Sequence, residues 1–175
     1  MGKSTGPTYR VAFKRRRLGL TNYKKRFALL KSGKPRFVVR KSQRNIITQV
    51  LDYDTKGDRV LASAHSCELK KFGWPVRSNT PTAYLTGLLA GLRAVKNKVI
   101  DAVPDIGLNR ATRGSVVFSA IKGAIDGGMK ISMDPAMVSE NRIKGEHIAG
   151  YSKYPEAKNI VELFEKVKEE IIRSV

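Results

Sequence analysis

The sequence predicts an α/β protein, with helices packed on a mixed sheet that an antiparallel meander begins, and with an extended basic N-terminal arm. Two observations predict this. Short segments rich in Val, Ile and Leu are followed by longer segments whose apolar residues recur at helical spacing. In addition, residues 1–51 hold fifteen Lys and Arg but no Asp or Glu, whereas the other 124 residues hold nineteen bases and all fifteen acids. We expect residues 1–26 to form the arm, and residues 27–175 to form a single α/β domain that ends in a helix.

The expected domain begins with Phe27, Leu29 and Leu30, the first apolar anchor in the chain. Strands are expected at residues 36–42, 45–54 and 59–66, and the last two are joined by a tight turn at Gly57. A short strand is expected at residues 105–108. This order of elements favours a sheet that combines a meander with one later strand.

The stretch SNTPTAYLTGLLAGLRAVKNKVI predicts a helix packed on the sheet. Either Ser78 or Thr80 could cap it, Pro81 suits its first turn, and Gly87 and Gly91 would allow close approach to the sheet.

The remaining chain predicts two more helices separated by a loop. The first of them runs from near Ser115 to Gly127-Gly128, residues 130–154 have a loop-like composition, and the final helix begins at Pro155.

The stretch FKRRRLGLTNYKKR, residues 13–26, places seven cationic side chains in fourteen positions. Taken alone, such a run is often a solvated segment or a targeting patch. Here the cations continue into the first strand, where Arg36, Val38 and Arg40 alternate with Phe37 and Val39. Because strand side chains alternate between faces, we expect one cationic face and one buried face.

The residue types in the arm favour RNA as its partner. Guanidinium groups match phosphate oxygens, and Tyr9, Phe13 and Tyr23 offer stacking on unpaired bases, which indicates structured or single-stranded RNA rather than plain duplex. The arm would order on binding. The uncharged gap Leu18-Gly19-Leu20 marks either a bend or an apolar contact with the domain.

The sequence shows no catalytic constellation and calls for no cofactor or metal. Asp52 and Asp54 could share one strand face, as in a two-metal nuclease, but no third acid completes such a site, and a role in the adjoining turn is favoured. Cys67 and His65 lack a third triad partner, and Cys67 is expected to be a small buried or half-buried side chain. The glycines match neither common nucleotide-binding motif.

No apolar run approaches the roughly 20 residues that cross a bilayer, and the N-terminus lacks the apolar core of a secretory signal. We therefore expect a cytoplasmic protein without a membrane partner.

Several stretches resemble one known family: PTYR, FKRRR and TNY in the arm, then RVLASAHSCELKKFGW, RSNTPTAYLTGLLAGLRA, RGSVVFSAIKGAIDGG and NRIKGEHIAGY. They are similar to the universal 5S rRNA-binding ribosomal proteins, the large-subunit protein eighteen family of archaeal type, whose eukaryotic counterpart is large-subunit protein five. The resemblance covers nearly the whole chain.

The resemblance implies a structural component of the large ribosomal subunit, which binds 5S rRNA and helps attach it to the large-subunit rRNA in the central protuberance, beside neighbouring ribosomal proteins. It also implies that cations and tyrosines of the arm and the first strands contact RNA, with further candidates ahead of the second long helix. These residues are Tyr9, Arg10, Lys14, Arg15, Arg16, Arg17, Tyr23, Lys24, Lys25, Arg26, Lys34, Arg36, Arg40 and Arg44, then Asn109, Arg110, Thr112 and Arg113.

Two other functions remain as alternatives at this point. One is an RNA-processing enzyme, which would require a carboxylate cluster. The other is a basic protein that coats DNA or a membrane surface, against which the interleaved tyrosines argue.

Overall fold

The computed structural model describes residues 6–151 and 159–174. Its sheet contains β1 (Arg36–Lys41), β2 (Ile46–Asp52), β3 (Arg59–His65) and β4 (Val103–Asp105) in the order β3-β2-β1-β4. The β1–β2 and β2–β3 pairs are antiparallel, and β4 is parallel to β1. The predicted mixed sheet is confirmed.

The last strand lies earlier in the chain than residues 105–108. It begins where the Val103 N–H donates to the Pro35 carbonyl, 2.9 Å away, and it ends at Asp105. Beyond that residue the backbone turns, with Gly107 in the left-handed region at φ 63°. The apolar residues 106 and 108 suggested a strand, but the glycine conformation ends it.

The helices are α1 (Lys14–Arg17), α2 (Tyr23–Leu30), α3 (Thr80–Lys96), α4 (Val116–Asp126), α5 (Glu140–Lys144), α6 (Glu146–Ala149) and α7 (Ile160–Ser174), with 3-10 turns at Ser66–Phe72 and Pro135–Met137. The loop expected at residues 130–154 thus contains α5 and α6 in its described part. Helical periodicity is recognised over windows of about 11 residues or more, so such short helices escape it. Pro155, the expected start of the last helix, lies outside the described residues.

One face of the sheet forms the core with α3. Phe37 and Val39 on β1 are fully buried there, as the strand alternation predicts. Thr48 on β2 is also buried, and its hydroxyl lies within hydrogen-bonding distance of the carbonyls of Ala64 (3.3 Å) and Thr86 (3.2 Å). A polar group inside this core is therefore satisfied by the strand and helix on either side of it.

Helix α3 begins with a cap that the sequence analysis did not choose. The side chain of Asn79, rather than Ser78 or Thr80, accepts a hydrogen bond from the Thr82 N–H at 3.1 Å. Ser78 instead donates to the Ser42 carbonyl, and Thr80 and Pro81 are buried in the first turn. An Asn at this position is as good a cap as Ser or Thr, so residue type alone could not decide.

The glycines of α3 face α4, not the sheet. A Cβ atom on Gly87 would overlap the Ala120 carbonyl oxygen, and one on Gly91 would lie 2.8 Å from the Ala124 carbonyl oxygen. Gly123 on α4 is equally close to the Tyr84 carbonyl. Close approach was expected, but its partner is a second helix, which periodicity within one helix cannot identify.

The C-terminal helix packs on its own domain. The Phe164 ring lies 6.2 Å from Trp74 and 5.5 Å from Tyr84, between ring centroids. Trp74 donates its indole N–H to Thr82, and the Tyr84 hydroxyl donates to Asp126 at 2.8 Å. Burial, followed by the hydrogen bond to Asp126, raises the pKa of the Tyr84 phenol, which therefore stays a neutral donor.

The outer edge of β3 is closed by polar side chains. The carbonyl oxygens of Leu61 and Ser63 accept hydrogen bonds at 2.7 Å, the first from Asn97, directly after α3, and the second from Arg93 in α3. Arg93 also pairs with Glu68 at 2.6 Å. Although burial acts to raise it, the hydrogen bonds from Arg93 and from the His65 N–H lower the pKa of Glu68 overall. These side chains occupy carbonyls through which an edge strand could pair with another chain.

His65 and Cys67 belong to a capping arrangement. The His65 Nδ1 accepts from the Cys67 N–H at 3.0 Å, while the His65 N–H donates to Glu68. Cys67 is exposed, so the expectation of a buried or half-buried thiol was wrong. It lies in the 3-10 turn Ser66–Phe72, directly after β3.

We predict that Gly87→Ala destabilises the protein by at least roughly 1–3 kcal/mol, because the added methyl group meets backbone that cannot rotate away. The free energy of unfolding from urea denaturation measures this. The matched control is Gly150→Ala, where the new Cβ would lie 3.5 Å from its nearest neighbour and φ is −70°. Equal denaturation midpoints for the two variants would contradict the close helix contact.

Candidate nucleic-acid interface

The arm contains the short helix α1 and the beginning of α2, and a bend at Gly19 joins them. Gly19 adopts φ 65°, its N–H donates to the Arg16 carbonyl at 3.0 Å, and the Leu20 N–H donates to the Arg15 carbonyl at 2.9 Å. This pair of bonds is the Schellman helix ending, which favours glycine. Leu18 and Leu20 are both more than half exposed, so the uncharged gap is a bend rather than an apolar contact.

Side-chain contacts hold the two sides of this bend together. Arg15 Nε donates to the Thr21 hydroxyl at 2.9 Å, and the Phe13 and Tyr23 rings lie 5.2 Å apart. Asn22 caps α2 by accepting from the Lys25 N–H at 3.1 Å. Over residues 14–30 the arm is therefore largely helical rather than extended. Lys and Arg are good helix formers, and a suitable cap and a terminal glycine lie beside them.

Helix α2 crosses the expected boundary between residues 26 and 27. Phe27 was expected to anchor the domain, yet it is 62% exposed, and the Lys31 ammonium lies 5.0 Å from its ring centre. Leu29 and Leu30 are half-buried. The division into an arm of residues 1–26 and a domain of residues 27–175 remains a prediction.

A chain of five alternating charges connects α2 with the sheet. Arg26 Nη2 lies 2.8 Å from both carboxylate oxygens of Asp58 in the β2–β3 turn. Asp58 also pairs with Arg36 at 2.7 Å, Arg36 pairs with Asp105 at 3.0 Å, and Asp105 pairs with Arg40 at 3.2 Å. Four separate segments of the chain meet through these contacts.

Arg36 lies at the centre of this chain and is only 2% exposed. It was expected on a cationic strand face open to solvent, and that expectation was wrong, because its guanidinium is buried between two carboxylates. Val38, on the same side of β1, is also buried. Strand alternation identified the two faces but could not show that the second face is covered as well.

Arg40 is the outermost member of the chain, with a side chain 47% exposed. It donates to the backbone carbonyls of Val39 (2.9 Å) and Asp105 (3.0 Å). A Cβ on Gly107 would lie 2.9 Å from Arg40 Nη1, so the glycine leaves room for the guanidinium as well as supplying the positive φ.

The arm and the sheet together line one cleft. Seven of the RNA-contact candidates are among its lining residues, namely Arg15, Tyr23, Lys25, Arg26, Arg36, Arg40 and Asn109. Asn109 is half-buried and donates to the Ile106 carbonyl, whereas the candidates that do not line the cleft are all exposed. Those outside the cleft are Tyr9, Arg10, Lys14, Arg16, Arg17, Lys24, Lys34, Arg44, Arg110, Thr112 and Arg113.

Sequence reasoning missed Asp58, Asp105 and Gly107. Strand alternation placed Arg36 on the outward face of β1, where an arginine needs no buried carboxylate partner, so the only signal was that the first acidic residues follow an acid-free stretch of 51 positions. Choosing the partners, however, requires the positions of β4 and of the β2–β3 turn.

The two carboxylates considered for catalysis accept local hydrogen bonds at the β2–β3 turn, which is the role that the sequence favoured. Asp52 accepts from the Tyr53 N–H, and Asp54 accepts from the Thr55 hydroxyl and the Lys56 N–H. In the described ranges, no helix has the length and apolar content that crossing a membrane requires.

A basic surface on a mixed α/β fold is typical of proteins that bind nucleic acids, and comparison with known proteins identifies the family. Residues 7–104 and 93–134 match the family model described as "Ribosomal large subunit proteins 60S L5, and 50S L18". The chain belongs to this family. The expected resemblance is thereby confirmed.

Individual relatives agree with the family match. The chain is 50% identical over 158 residues to the large ribosomal subunit protein uL18 of Saccharolobus solfataricus, covering 89% of this chain and 79% of the relative. It is 53% identical to uL18 of Thermofilum pendens, covering 85% and 76%, and 46% identical to that of Methanoregula boonei, covering 97% and 99%. The chain is thus a structural ribosomal protein of the large subunit in the cytoplasm, not an enzyme.

We predict that Arg36→Met destabilises the fold by about 3–5 kcal/mol, because Asp58 and Asp105 would both lose their buried counter-ion. Urea denaturation followed by circular dichroism measures the loss. The control is Arg173→Met, which removes an exposed pair with Glu169 and should change stability by less than about 1 kcal/mol. A similar small effect for both variants would contradict the central role of Arg36.

Proposed function

We propose that this protein binds 5S rRNA and helps attach it to the large-subunit rRNA in the central protuberance, where neighbouring large-subunit proteins are its further partners. The observation that supports the proposal is the exposed cationic arm, which forms the helices α1 and α2. The Arg26–Asp58 ion pair joins this arm to the β2–β3 turn. Family membership supports a ribosomal role, and the chemistry of the arm supports RNA as the direct ligand.

The proposed contact surface has three parts. The first is residues 1–26, which we propose as a functional arm. The second is the set of exposed cations at the beginning of the domain, Lys34, Arg40 and Arg44. The third is the segment ahead of α4, with Arg110 and Arg113, both exposed. Arg36 is left out of the contact set, because it is buried.

The strength of the electrostatic attraction supports a dominant role for the arm. Contact with about eight phosphates would give a slope of roughly −6 to −7 in a plot of log affinity against log salt. The described part of the arm carries seven exposed cations, and Lys34, Arg40 and Arg44 add three more. Tyr9 is also exposed and is free to offer its ring to an unpaired base.

We predict that replacing Arg16, Arg17 and Lys24 with Gln weakens binding to 5S rRNA by on the order of 100-fold near 0.1 M salt and reduces the salt slope by about 2–3. All three side chains are exposed. Fluorescence anisotropy across a salt series measures both quantities.

The matched control replaces three exposed cations that lie outside the arm, Lys70, Lys166 and Arg173, with Gln. Its net charge equals that of the arm variant. If both variants lose affinity equally, binding depends on overall charge rather than on the arm, and the proposed surface is wrong.

We also predict that the protein prefers 5S rRNA over an unrelated RNA of the same length by at least about tenfold in the presence of excess competitor RNA. The 5S rRNA of one of the archaea named above is a suitable ligand. Stacking and shape give a preference that phosphate contacts alone do not. Equal retention of both RNAs, or of duplex DNA, would contradict the 5S assignment while leaving the family membership intact.

A further inference from the structure

Asp58 joins the arm helix α2 to the sheet. Both of its carboxylate oxygens lie 2.8 Å from Arg26 Nη2, and its Oδ2 also lies 2.7 Å from Arg36. Its side chain is 17% exposed, which places this ion pair at the edge of the folded domain rather than in open solvent. The contact is therefore positioned to hold α2 against the sheet.

An acidic residue at this place works against simple polyanion binding. Asp58 lines the same cleft as Arg15, Lys25 and Arg40, so its charge lowers the positive potential beside the cations proposed to meet phosphate. Long-range electrostatics alone would favour a neutral residue here. A local structural benefit must offset that cost if Asp58 contributes to RNA binding.

That benefit is the placement of α2. The helix has eight residues, none of them buried, and an isolated helix of this length is unstable in water. The Asn22 cap satisfies only one of its free N–H groups. Its order and its orientation therefore depend on contacts with the rest of the protein, and Arg26 provides an ion pair with Asp58 in the β2–β3 turn.

The position of Asp58 is in turn fixed from within the domain. Arg36 is buried on β1 and donates to both Asp58 and Asp105, and Asp105 also accepts from the Gly107 N–H at 2.9 Å. The position of α2 relative to β1 and β4 is thus set by side chains that have little freedom to move.

We propose that Asp58 is a positioning residue for RNA binding: through Arg26 it docks α2 on the sheet, so that the arm's cations are arranged before the RNA arrives. The inference rests on the proposed function. Asp58 itself would not touch the RNA. Pre-arrangement matters because a surface that is competent only part of the time binds with an affinity reduced by that fraction.

The first test compares Asp58→Asn with Asp54→Asn. Both changes raise the net charge by one in the same turn, but Asp54 accepts only local bonds, which an Asn side chain can still accept. We expect Asp58→Asn to weaken 5S rRNA binding about tenfold despite its added positive charge. This is the loss that results when α2 is docked in only about one tenth of the molecules. Asp54→Asn should bind as tightly as the wild type or slightly more tightly.

Amide hydrogen exchange of the RNA-free protein separates positioning from a general loss of stability. Asp58→Asn should speed exchange in α2 by a much larger factor than in α3, where acceleration reports only the weaker neutralisation of buried Arg36, while Asp54→Asn should change neither helix. Equal acceleration in the two helices would show that Asp58 acts only through the stability of the whole fold, and would overturn the inference. So would unchanged exchange in α2.

A second variant breaks the contact from the arm side and keeps the Arg36–Asp58 pair intact. Arg26→Gln should speed exchange in α2, whereas Lys24→Gln, which removes the same charge from the same helix, should not. In the Arg26→Gln background, Asp58→Asn should weaken binding no further, because the two residues act through one contact. Additive losses would overturn the inference.

The outcomes also separate this inference from the function on which it rests. If the wild-type protein shows no preference for 5S rRNA, the proposed function fails. If it shows that preference and Asp58→Asn binds equally or more tightly, the function stands and the positioning role of Asp58 is wrong.

Discussion

The buried guanidinium of Arg36 is the constraint on which the outer side of this molecule depends. A charge that is 2% exposed must be neutralised, and Asp58 and Asp105 do so while accepting hydrogen bonds from its two terminal nitrogens. These carboxylates then recruit Arg26 and Arg40, so the α2 helix, the β2–β3 turn, β1 and β4 must all meet at one place. Such a chain of charges is weak evidence for high stability, since apolar residues could replace it. What it supplies is a defined geometry for a cationic segment that has little apolar surface of its own.

Different interactions therefore stabilise the two faces of the sheet. The inner face is apolar and closely packed, and α3 and α4 approach so closely that several of their contacts leave no space for a Cβ atom. The outer face is held by directional ion pairs, which are compatible with a polar, partly solvated neighbour such as the arm. This separation allows the domain to be rigid while its outer face stays chemically suited to RNA. The aromatic contacts among Trp74, Tyr84 and Phe164 extend the rigid side to the C-terminal helix.

Local patterns predicted the elements of the fold better than they predicted the partners of those elements. The meander, the two long described helices α3 and α4, and the inward positions of Phe37 and Val39 follow from apolar spacing and turn residues, which act over a few neighbouring positions. The α3–α4 contact through Gly87 and the burial of Arg36 between distant carboxylates depend on which segments meet in space. Within the site, charge pattern indicated the cationic arm. It did not indicate that acidic residues, absent from the first 51 positions, would hold that arm in place.

From its charge density alone, the arm would be a disordered polycation. The arm is partly folded instead, and this changes how it can bind. A disordered arm loses conformational entropy when it meets RNA, at a cost of about 1–2 kcal/mol for each residue that becomes fixed. In the RNA-free protein, the Schellman ending at Gly19, the Asn22 cap and the Arg26–Asp58 pair already fix part of that backbone. If the arm binds RNA as proposed, affinity that would otherwise be lost to ordering is retained, and the cations would meet the RNA in a fixed arrangement. Specific recognition of one folded RNA requires such an arrangement, because phosphates are the same on every RNA and only their spacing distinguishes one shape from another.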